Sequence, residues 1–238
     1  MITRNPITAA DFIASCRETL DRDGVLVLPD FLTTDALASL QAEARVGQEK
    51  AYFCAQNHSV YLSPHDPAFA ADHPRNREVV SSKGCICDDD VATDSVLREL
   101  YNSEDFRAFI KGGTGEAALH PYADPLSSIN IHYANRGQEL GWHFDNSSFA
   151  TTLMIQEPEA GGAFEYVENL RDADRGEMNF DGVEFAGQNC TGANVLLESG
   201  ASSVNRGWYF TSGCHFSHRG IQFGDGADGS PKEYRAII

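Results

Sequence analysis

The sequence has few basic residues, and this shortage excludes one class of partners. Its 238 residues contain 18 Lys and Arg against 35 Asp and Glu, which gives a formal net charge of −17 at pH 7. A field of this sign repels the phosphate backbone of nucleic acids and the anionic headgroups of lipid surfaces. We therefore expect neither nucleic acid nor a membrane among the partners.

Long hydrophobic runs are also missing. The sequence has no apolar stretch of about 18 residues that would span a bilayer, and its first residues, MITRNPITAADFIASC, have no continuous apolar core of the signal-peptide type. Without an export signal, the six cysteines are better interpreted as thiols than as disulfides. These absences predict a soluble, cytoplasmic protein.

A second pair of metal ligands is lacking beside the two cysteines of KGCICDDD. Cys85 and Cys87 would share one face of a strand, as a pair of soft ligands must. No other Cys or His pair at zinc-site spacing accompanies them. We interpret both as small buried hydrophobic residues rather than as ligands.

The first part of the chain predicts helices mixed with a short strand. ITAADFIASCRETLDRDG predicts a helix with Thr8 as its N-cap and Gly24 just beyond its end. TTDALASLQAEARVG predicts a second helix, and DSVLRELYNSEDFRAFIKGG predicts a helical region that breaks near Ser103 and stops at Gly112 and Gly113. VLVLPDF predicts a buried strand, and LSPHDPAFAADHPRNREVV predicts a loop.

From about residue 127 the pattern changes to short β-rich runs separated by Gly, Asn, Asp and Ser. Examples are SINIHYA, FATTLMIQ, GWYFT and EYRAII, and NLRDADRGEMNFDGVEFAGQNCTG is a polar insertion between strands. We predict a single domain that is mainly β with N-terminal helices. Residues 1–126 would form a mixed helical support and lid, and residues 127–238 a jelly-roll core.

The stretch GWHFDNSSFATTLMIQ contains a candidate metal-binding pair. On a strand, His143 and Asp145 project to one face while Phe144 turns away. Two imidazoles and one carboxylate suit a non-haem Fe(II) oxygenase, so a second histidine is required. HFSHRGIQF offers His215 and His218, which cannot both face inward on a regular strand. We favour His218, and His215 remains the alternative.

These motifs, with a later arginine, resemble the Fe(II)/2-oxoglutarate-dependent oxygenases. H-x-D, H-R-G and the arginine of EYRAII occur in the family's order, and its fold is the double-stranded β-helix. The resemblance implies Fe(II) held by His143, Asp145 and His218, with 2-oxoglutarate and O₂ as co-substrates. It also implies that Arg235 anchors the distal carboxylate of 2-oxoglutarate. Arg235 lies farther after His218 than is usual, because GDGADGSPK inserts a loop. Arg219 is the alternative anchor.

Within that family, the stretch ending in GGAFEYV is most similar to small enzymes that act on free amino acids, both hydroxylases and halogenases. Halogenases replace the carboxylate ligand by a small residue and bind chloride there, whereas this chain has Asp145. The resemblance therefore implies hydroxylation of a free amino acid or similar small molecule. Desaturation or cyclisation by the same iron chemistry, and a non-redox cupin-like binding protein, remain alternatives.

Other residues have possible roles around such a centre. Tyr133 lies where family members often hydrogen-bond 2-oxoglutarate, although a core tyrosine is the alternative. Arg75 and Arg77, in HPRNREVV, would bind the substrate carboxylate from a lid, or would be exposed loop residues. Asn146 would touch the substrate or cap a turn. The sequence leaves the oligomeric state open, and no role is assigned to the remaining loop histidines, which are His58, His65, His73 and His120.

Overall fold

The structure is a computed structural model of the chain. It describes residues 2–122, 124, 126, 128–144, 149–156, 166–167, 170–172, 177–178, 180–181, 207–212, 216–217 and 233–237. In these residues, helices from the first half of the chain pack on an antiparallel sheet. No helix in this part of the chain is long and apolar enough to cross a membrane.

The helices begin and end largely where their capping residues predict. They are α1 Ala10–Asp23, α2 Thr34–Gly47, α3 Val96–Asn102 and α4 Glu104–Thr114. The Thr33 side chain accepts a hydrogen bond from Ala36 N at the start of α2. Ser103 ends α3 and, as the N-cap of α4, accepts from Phe106 N, so the predicted break is confirmed. Gly24 ends α1 in the left-handed region.

Two predicted helix boundaries are wrong. The N-cap of α1 is Ala9, without a side-chain cap, rather than Thr8. Helix α4 runs through the glycine pair and ends at Gly115, whose φ is 75°. A Cβ at Gly112 would lie 2.5 Å from Ile13 Cγ2, so this glycine allows α4 to approach α1 closely and does not stop the helix.

The strands form three antiparallel groups. Their bounds are β1 Val25–Pro29, β2 Tyr52–Ser59, β3 Glu78–Cys87, β4 Asn130–Ala134, β5 His143–Phe144, β6 Phe149–Gln156, β7 Tyr166–Val167, β8 Arg171–Asp172, β9 Glu177–Met178, β10 Gly207–Ser212, β11 Phe216–Ser217 and β12 Glu233–Ile237. The large sheet has seven strands in the order β1-β10-β6-β12-β4-β3-β2. A three-stranded sheet has the order β5-β11-β7, and β8 pairs with β9.

The large sheet takes strands from both halves of the chain. Strands β1, β2 and β3 precede residue 126, yet they join β4, β6, β10 and β12 in one sheet. The loop predicted over residues 62–80 ends at residue 77, because β3 begins at Glu78. Strand β2 was missed, since this edge strand is mostly exposed and lacks a clear apolar alternation. The predicted N-terminal helices and antiparallel strands are confirmed, in a mixed rather than mainly β arrangement.

The two faces of the large sheet differ in what they contact. On one face, here called the helix face, Ile86, Ile131, Tyr133, Leu153 and Ile155 are buried in one apolar cluster with the helices. The helices contribute residues such as Leu20, Leu40, Leu97 and Phe109. Fully burying a side chain of this size contributes roughly 1.5–3 kcal/mol. This cluster holds the sheet against the helices.

The opposite face, here called the far face, carries polar residues. Cys85 of β3 pairs directly with His132 of β4, so the two share a face. By the two-residue period of a strand, Ser81 and Lys83 lie on that face as well. The alternation of buried Ile131 and Tyr133 with half-buried His132 is the signature of a strand with two different environments.

Leu40 tests the apolar cluster, because its side chain is fully buried in α2. Leu40→Ala is expected to lower the free energy of unfolding by about 2–5 kcal/mol through lost contacts and a cavity. Val46→Ala, in the same helix at a site that is 70% exposed, should stay within about 0.5 kcal/mol. Urea denaturation of both variants measures the difference, and equal losses would contradict this assignment of the core.

Candidate metal and co-substrate site

Strand β5 carries the first predicted metal ligand. Phe144 is 1% exposed, its backbone N–H donates to Val60 O at 2.8 Å, and its ring stacks on Tyr61 at 5.2 Å. His143 is half-buried and points away from this contact. The predicted alternation, with Phe144 turned into the core, is therefore present in the structure.

The hydrogen bond of His143 determines its tautomer. Its Nδ1 lies 2.8 Å from the carbonyl oxygen of Gly141. A carbonyl only accepts, so Nδ1 carries the proton and Nε2 of the neutral ring carries a lone pair. Metal-binding histidines typically use one nitrogen as ligand while the other donates to a carbonyl or carboxylate, which orients the ring. The described geometry of His143 thus fits a ligand that binds iron through Nε2.

The other two predicted ligands, Asp145 and His218, lie outside the described residues, as does the alternative, His215. The backbone next to them is described. In the β5–β11 ladder, Ser217 pairs with His143 and Phe216 pairs with Phe144. Among the described residues, no group of three or more His, Cys, Asp or Glu side chains is arranged to hold a metal. The triad therefore stays a prediction, and so does the choice of His218.

Arg235, the predicted co-substrate anchor, lies in β12. Its backbone pairs with His132 of β4 and with Met154 of β6. His132 lies on the far face, where Lys83 Nζ donates to its Nε2 at 3.1 Å. The backbone of Arg235 therefore lies opposite an area of the far face that carries the basic side chains of β3 and β4.

The same area is partly shielded from water. Burial raises the pKa of the Cys85 thiol to about 12, and the nearby positive charge of Lys83 opposes this rise only in part. Cys85 and Cys87 are free thiols, but they are only half-buried and lie outside the apolar cluster, so they are less buried than the sequence predicted. Where water is excluded, a cation attracts a carboxylate more strongly than it does in bulk solvent.

Tyr133 is engaged on the other side of the sheet. It is fully buried, and its hydroxyl donates to Ala44 O of α2 at 2.9 Å. Neighbouring residues of a strand project to opposite faces, so Tyr133 points to the helices while His132 points to the far face. The core-tyrosine alternative describes this position, and we do not include Tyr133 in the co-substrate site.

The loop between β2 and β3 carries the two arginines that were predicted to bind substrate. Asn76 is 5% exposed and organises this loop: its amide nitrogen donates to the carbonyls of Asp66, Phe69 and Ala70, and its oxygen accepts from Asp66 N. Arg75 and Arg77, on either side of Asn76, are both half-buried. The loop is thus built around a buried amide, as a lid with a defined shape would require.

Arg75 connects this loop to the His143 strand. Its guanidinium carbon lies 5.2 Å from the centre of the Tyr61 ring, and Tyr61 in turn stacks on Phe144. Burial raises the pKa of Tyr61 to about 12, opposed in part by the charge of Arg75, so the phenol stays neutral at physiological pH. The backbone N–H of Arg77 donates to His73 O at 3.1 Å. Asn146 lies outside the described residues.

One residue beside His143 was given no role by the sequence analysis. The ring of His58 lies edge-on to that of His143, with 6.3 Å between ring centres. Its Nε2 lies 2.6 Å from Ser81 Oγ and its Nδ1 lies 2.9 Å from Ser59 O. No local motif signals this contact, because His58 and His143 are distant in the chain and meet only when β5 packs against the β2–β3 hairpin.

The chain is similar to known proteins in sequence and in fold. A sequence model of the Halogenase D (HalD) family matches residues 8–179. No curated protein sequence matches the chain. Among solved structures, the non-heme alpha-ketoglutarate-dependent epimerase SnoN from nogalamycin biosynthesis superimposes with a TM-score of 0.56 at 11% identity, covering 96% of this chain and 83% of that one.

Two further structures share the architecture. The non-heme alpha-ketoglutarate-dependent carbocyclase SnoK from nogalamycin biosynthesis has a TM-score of 0.53 at 10% identity, covering 94% of this chain and 81% of that one. A prolyl hydroxylase from Trichoplax adhaerens has a TM-score of 0.50 at 8% identity, covering 96% and 88%. At such identities these likenesses show the fold alone. Because the family model matches most of its length, the chain belongs to the Halogenase D family, and it shares the fold of non-heme alpha-ketoglutarate-dependent enzymes, in agreement with the resemblance that its motifs predicted.

Proposed function

We propose that this protein is an Fe(II)/2-oxoglutarate-dependent hydroxylase that oxidises an unactivated C–H bond of a free amino acid. The observation that carries the proposal is the Nδ1–H of His143 held by Gly141 O, because it prepares Nε2 as a metal ligand. In this proposal, the seven-stranded and three-stranded sheets are the two sheets of a double-stranded β-helix within a single domain.

Three side chains would hold the metal in this proposal: His143, Asp145 and His218. When bound, Fe(II) supplies the activation of O₂ coupled to decarboxylation of 2-oxoglutarate to succinate and CO₂. His143 contributes an imidazole whose orientation is set by its own backbone. The pairing of Ser217 with His143 places the chain next to both late histidines alongside β5. His218 is proposed as the distal ligand on its place in the H-R-G motif, not on this register.

Arg235 would hold the distal carboxylate of 2-oxoglutarate. Its planar guanidinium matches a carboxylate with two parallel hydrogen bonds and remains charged when shielded from water. Its backbone position opposite His132, on the far face, supports this role. The partial burial of that face, visible in the raised pKa of Cys85, would strengthen the ion pair.

The substrate would lie under the loop between β2 and β3. Arg75 is the better placed of the two loop arginines to bind an amino-acid carboxylate, since it contacts Tyr61 and thereby the β5 strand. Arg77 and Asn146 are proposed as further substrate contacts on their sequence positions. The protein's task is to hold one C–H bond near the metal and to exclude the others.

Although the family is named after a halogenase, Asp145 leads us to propose hydroxylation rather than halogenation. In the halogenases that the chain resembles, a small residue at this position leaves room for chloride. A carboxylate ligand here would fill that coordination position, so the reaction would insert oxygen rather than halogen. Family membership by itself does not separate these outcomes, because both use the same metal, co-substrate and fold.

The outcome is tested by mass spectrometry of products from a panel of free amino acids, with Fe(II), 2-oxoglutarate and chloride present. The wild type is expected to release succinate and to add one oxygen atom, derived from O₂, to its substrate. Asp145→Gly should lose hydroxylation and give at best traces of chlorinated product, because loss of a ligand also weakens the metal. A chlorinated product from the wild type, or full hydroxylation by Asp145→Gly, would remove Asp145 from the metal.

A second experiment separates the two late histidines. His218→Ala should abolish substrate-dependent succinate release, whereas His215→Ala should keep most of it, because only one of the two can face the metal on a regular strand. The two variants are matched controls for each other in charge and size. An inactive His215→Ala beside an active His218→Ala would reverse the assignment of the distal ligand.

A third experiment concerns the co-substrate anchor. Arg235→Gln should raise the apparent KM for 2-oxoglutarate far more than the KM for the amino acid. The expected loss of binding free energy for 2-oxoglutarate is about 2 kcal/mol or more, the usual cost of removing one partner of a shielded ion pair. Tyr133→Phe is the control from the helix face. It should lower the free energy of unfolding by about 0.5–1.5 kcal/mol, because the hydrogen bond from the Tyr133 hydroxyl to Ala44 O is lost, and leave the KM for 2-oxoglutarate unchanged. Equal KM increases for both substrates in Arg235→Gln would contradict the anchor.

A further inference from the structure

Gly141 sits unusually close to strand β3. Its backbone N–H donates to Ser81 Oγ at 2.9 Å. A Cβ at this position would lie 2.5 Å from Val80 O and 2.8 Å from Val79 Cγ2. Backbone atoms cannot move aside for a side chain, so only glycine fits against the strand here. The residue two positions before His143 is therefore fixed to the large sheet.

His58 orients the Ser81 side chain, which accepts the hydrogen bond from the Gly141 N–H. The Nδ1 of His58 lies 2.9 Å from Ser59 O, a carbonyl that only accepts, so Nδ1 carries the proton. Nε2 of the neutral ring then accepts from the Ser81 hydroxyl at 2.6 Å. With its proton directed to His58, Ser81 Oγ presents lone pairs to the Gly141 N–H. Ser81 is 4% exposed, so water does not compete for these bonds.

The carbonyl of Gly141 completes the connection to the metal site. It accepts the Nδ1–H of His143 at 2.8 Å. One residue thus uses its N–H to attach to the sheet and its C=O to orient the imidazole. His58 also contacts His143 directly, with its ring edge-on at 6.3 Å. We name the group of Gly141, Ser81 and His58 the Gly141 cradle.

We propose that His58 and Ser81 are positioning residues for the metal ligand His143, and that they act through Gly141. This inference rests on the proposed function, in which His143 binds iron through Nε2. A ligand histidine whose ring is held before the metal arrives loses less rotational freedom on binding. Partners that orient a ligand in this way typically contribute 10- to 100-fold in metal affinity.

The same segment has a second attachment that serves as a control. Ser82 and Glu139 exchange two hydrogen bonds, from Ser82 N to Glu139 O at 2.6 Å and from Glu139 N to Ser82 Oγ at 3.0 Å. These bonds also attach the segment to β3, but they lie farther from His143 along the chain. Ser82→Ala removes a hydroxyl of the same kind as Ser81→Ala does and leaves the Gly141 cradle intact.

The test is anaerobic titration of the metal-free protein with Co(II), followed by its ligand-field absorption and by calorimetry. Ser81→Ala and His58→Leu are expected to weaken Co(II) binding by about 10-fold or more. His58→Gln, whose amide oxygen can accept from Ser81 in place of Nε2, should restore most of the affinity. Ser82→Ala should leave Co(II) affinity near that of the wild type. Thermal melting of each metal-free variant measures folding separately.

The outcomes distinguish this inference from the proposed function. If His143→Ala binds Co(II) as tightly as the wild type, the metal site itself is wrong. If binding depends on His143 but is unchanged in Ser81→Ala and His58→Leu, only the positioning role is overturned. Equal weakening by Ser81→Ala and Ser82→Ala would also overturn it, because general attachment of the segment would then explain both. Should Ser81→Ala fail to fold, the contrast between His58→Leu and His58→Gln decides.

Discussion

The two-residue period of the seven-stranded sheet is the constraint on which the rest of the structure depends. On β4, it sends Ile131 and Tyr133 into the apolar cluster under the helices and His132 to the far face. The same period, carried across the β3–β4 ladder, places Lys83 and Cys85 with His132, and the backbone of Arg235 pairs directly with His132. A shift of one residue in any of these ladders would exchange the two sets and bury the basic residues against the helices.

The helix face supplies stability, and in the proposed function the far face supplies the chemistry, so alternation along the strands separates the two tasks. Apolar residues from helices and strands share one cluster, which holds the sheet against the helices. In that proposal, polar side chains of the far face bind the co-substrate and do not contribute to the core. The Tyr133 hydroxyl is an example, because it donates to Ala44 O and so attaches β4 to α2 rather than binding a ligand.

Strand β5 is held in place by polar contacts to the β2–β3 hairpin as well as by the apolar packing of Phe144. Ser81, Ser82 and Val60 bind the backbone of residues 139–144, and His143 is oriented by Gly141 within that segment. Hydrogen bonds have directions, whereas apolar contacts do not. A ligand that must present one particular nitrogen is therefore better served by such bonds than by packing. The loop organised by Asn76 adds Arg75 and Tyr61 to the same neighbourhood.

The sequence alone indicated the family, because H-x-D, H-R-G and a late arginine are local patterns in a fixed order. The family match over residues 8–179 confirms the family, although H-R-G and the late arginine lie beyond the matched residues. The sequence also determined the break at Ser103 and the cap at Gly24, which depend on neighbouring residues only. Only the tertiary structure decided that β1, β2 and β3 join the large sheet, that Tyr133 faces the helices, and that His58 reaches His143. These features depend on which distant segments pair and in what register. Periodicity within a single strand separates its two faces, but it does not identify the segments that each face contacts.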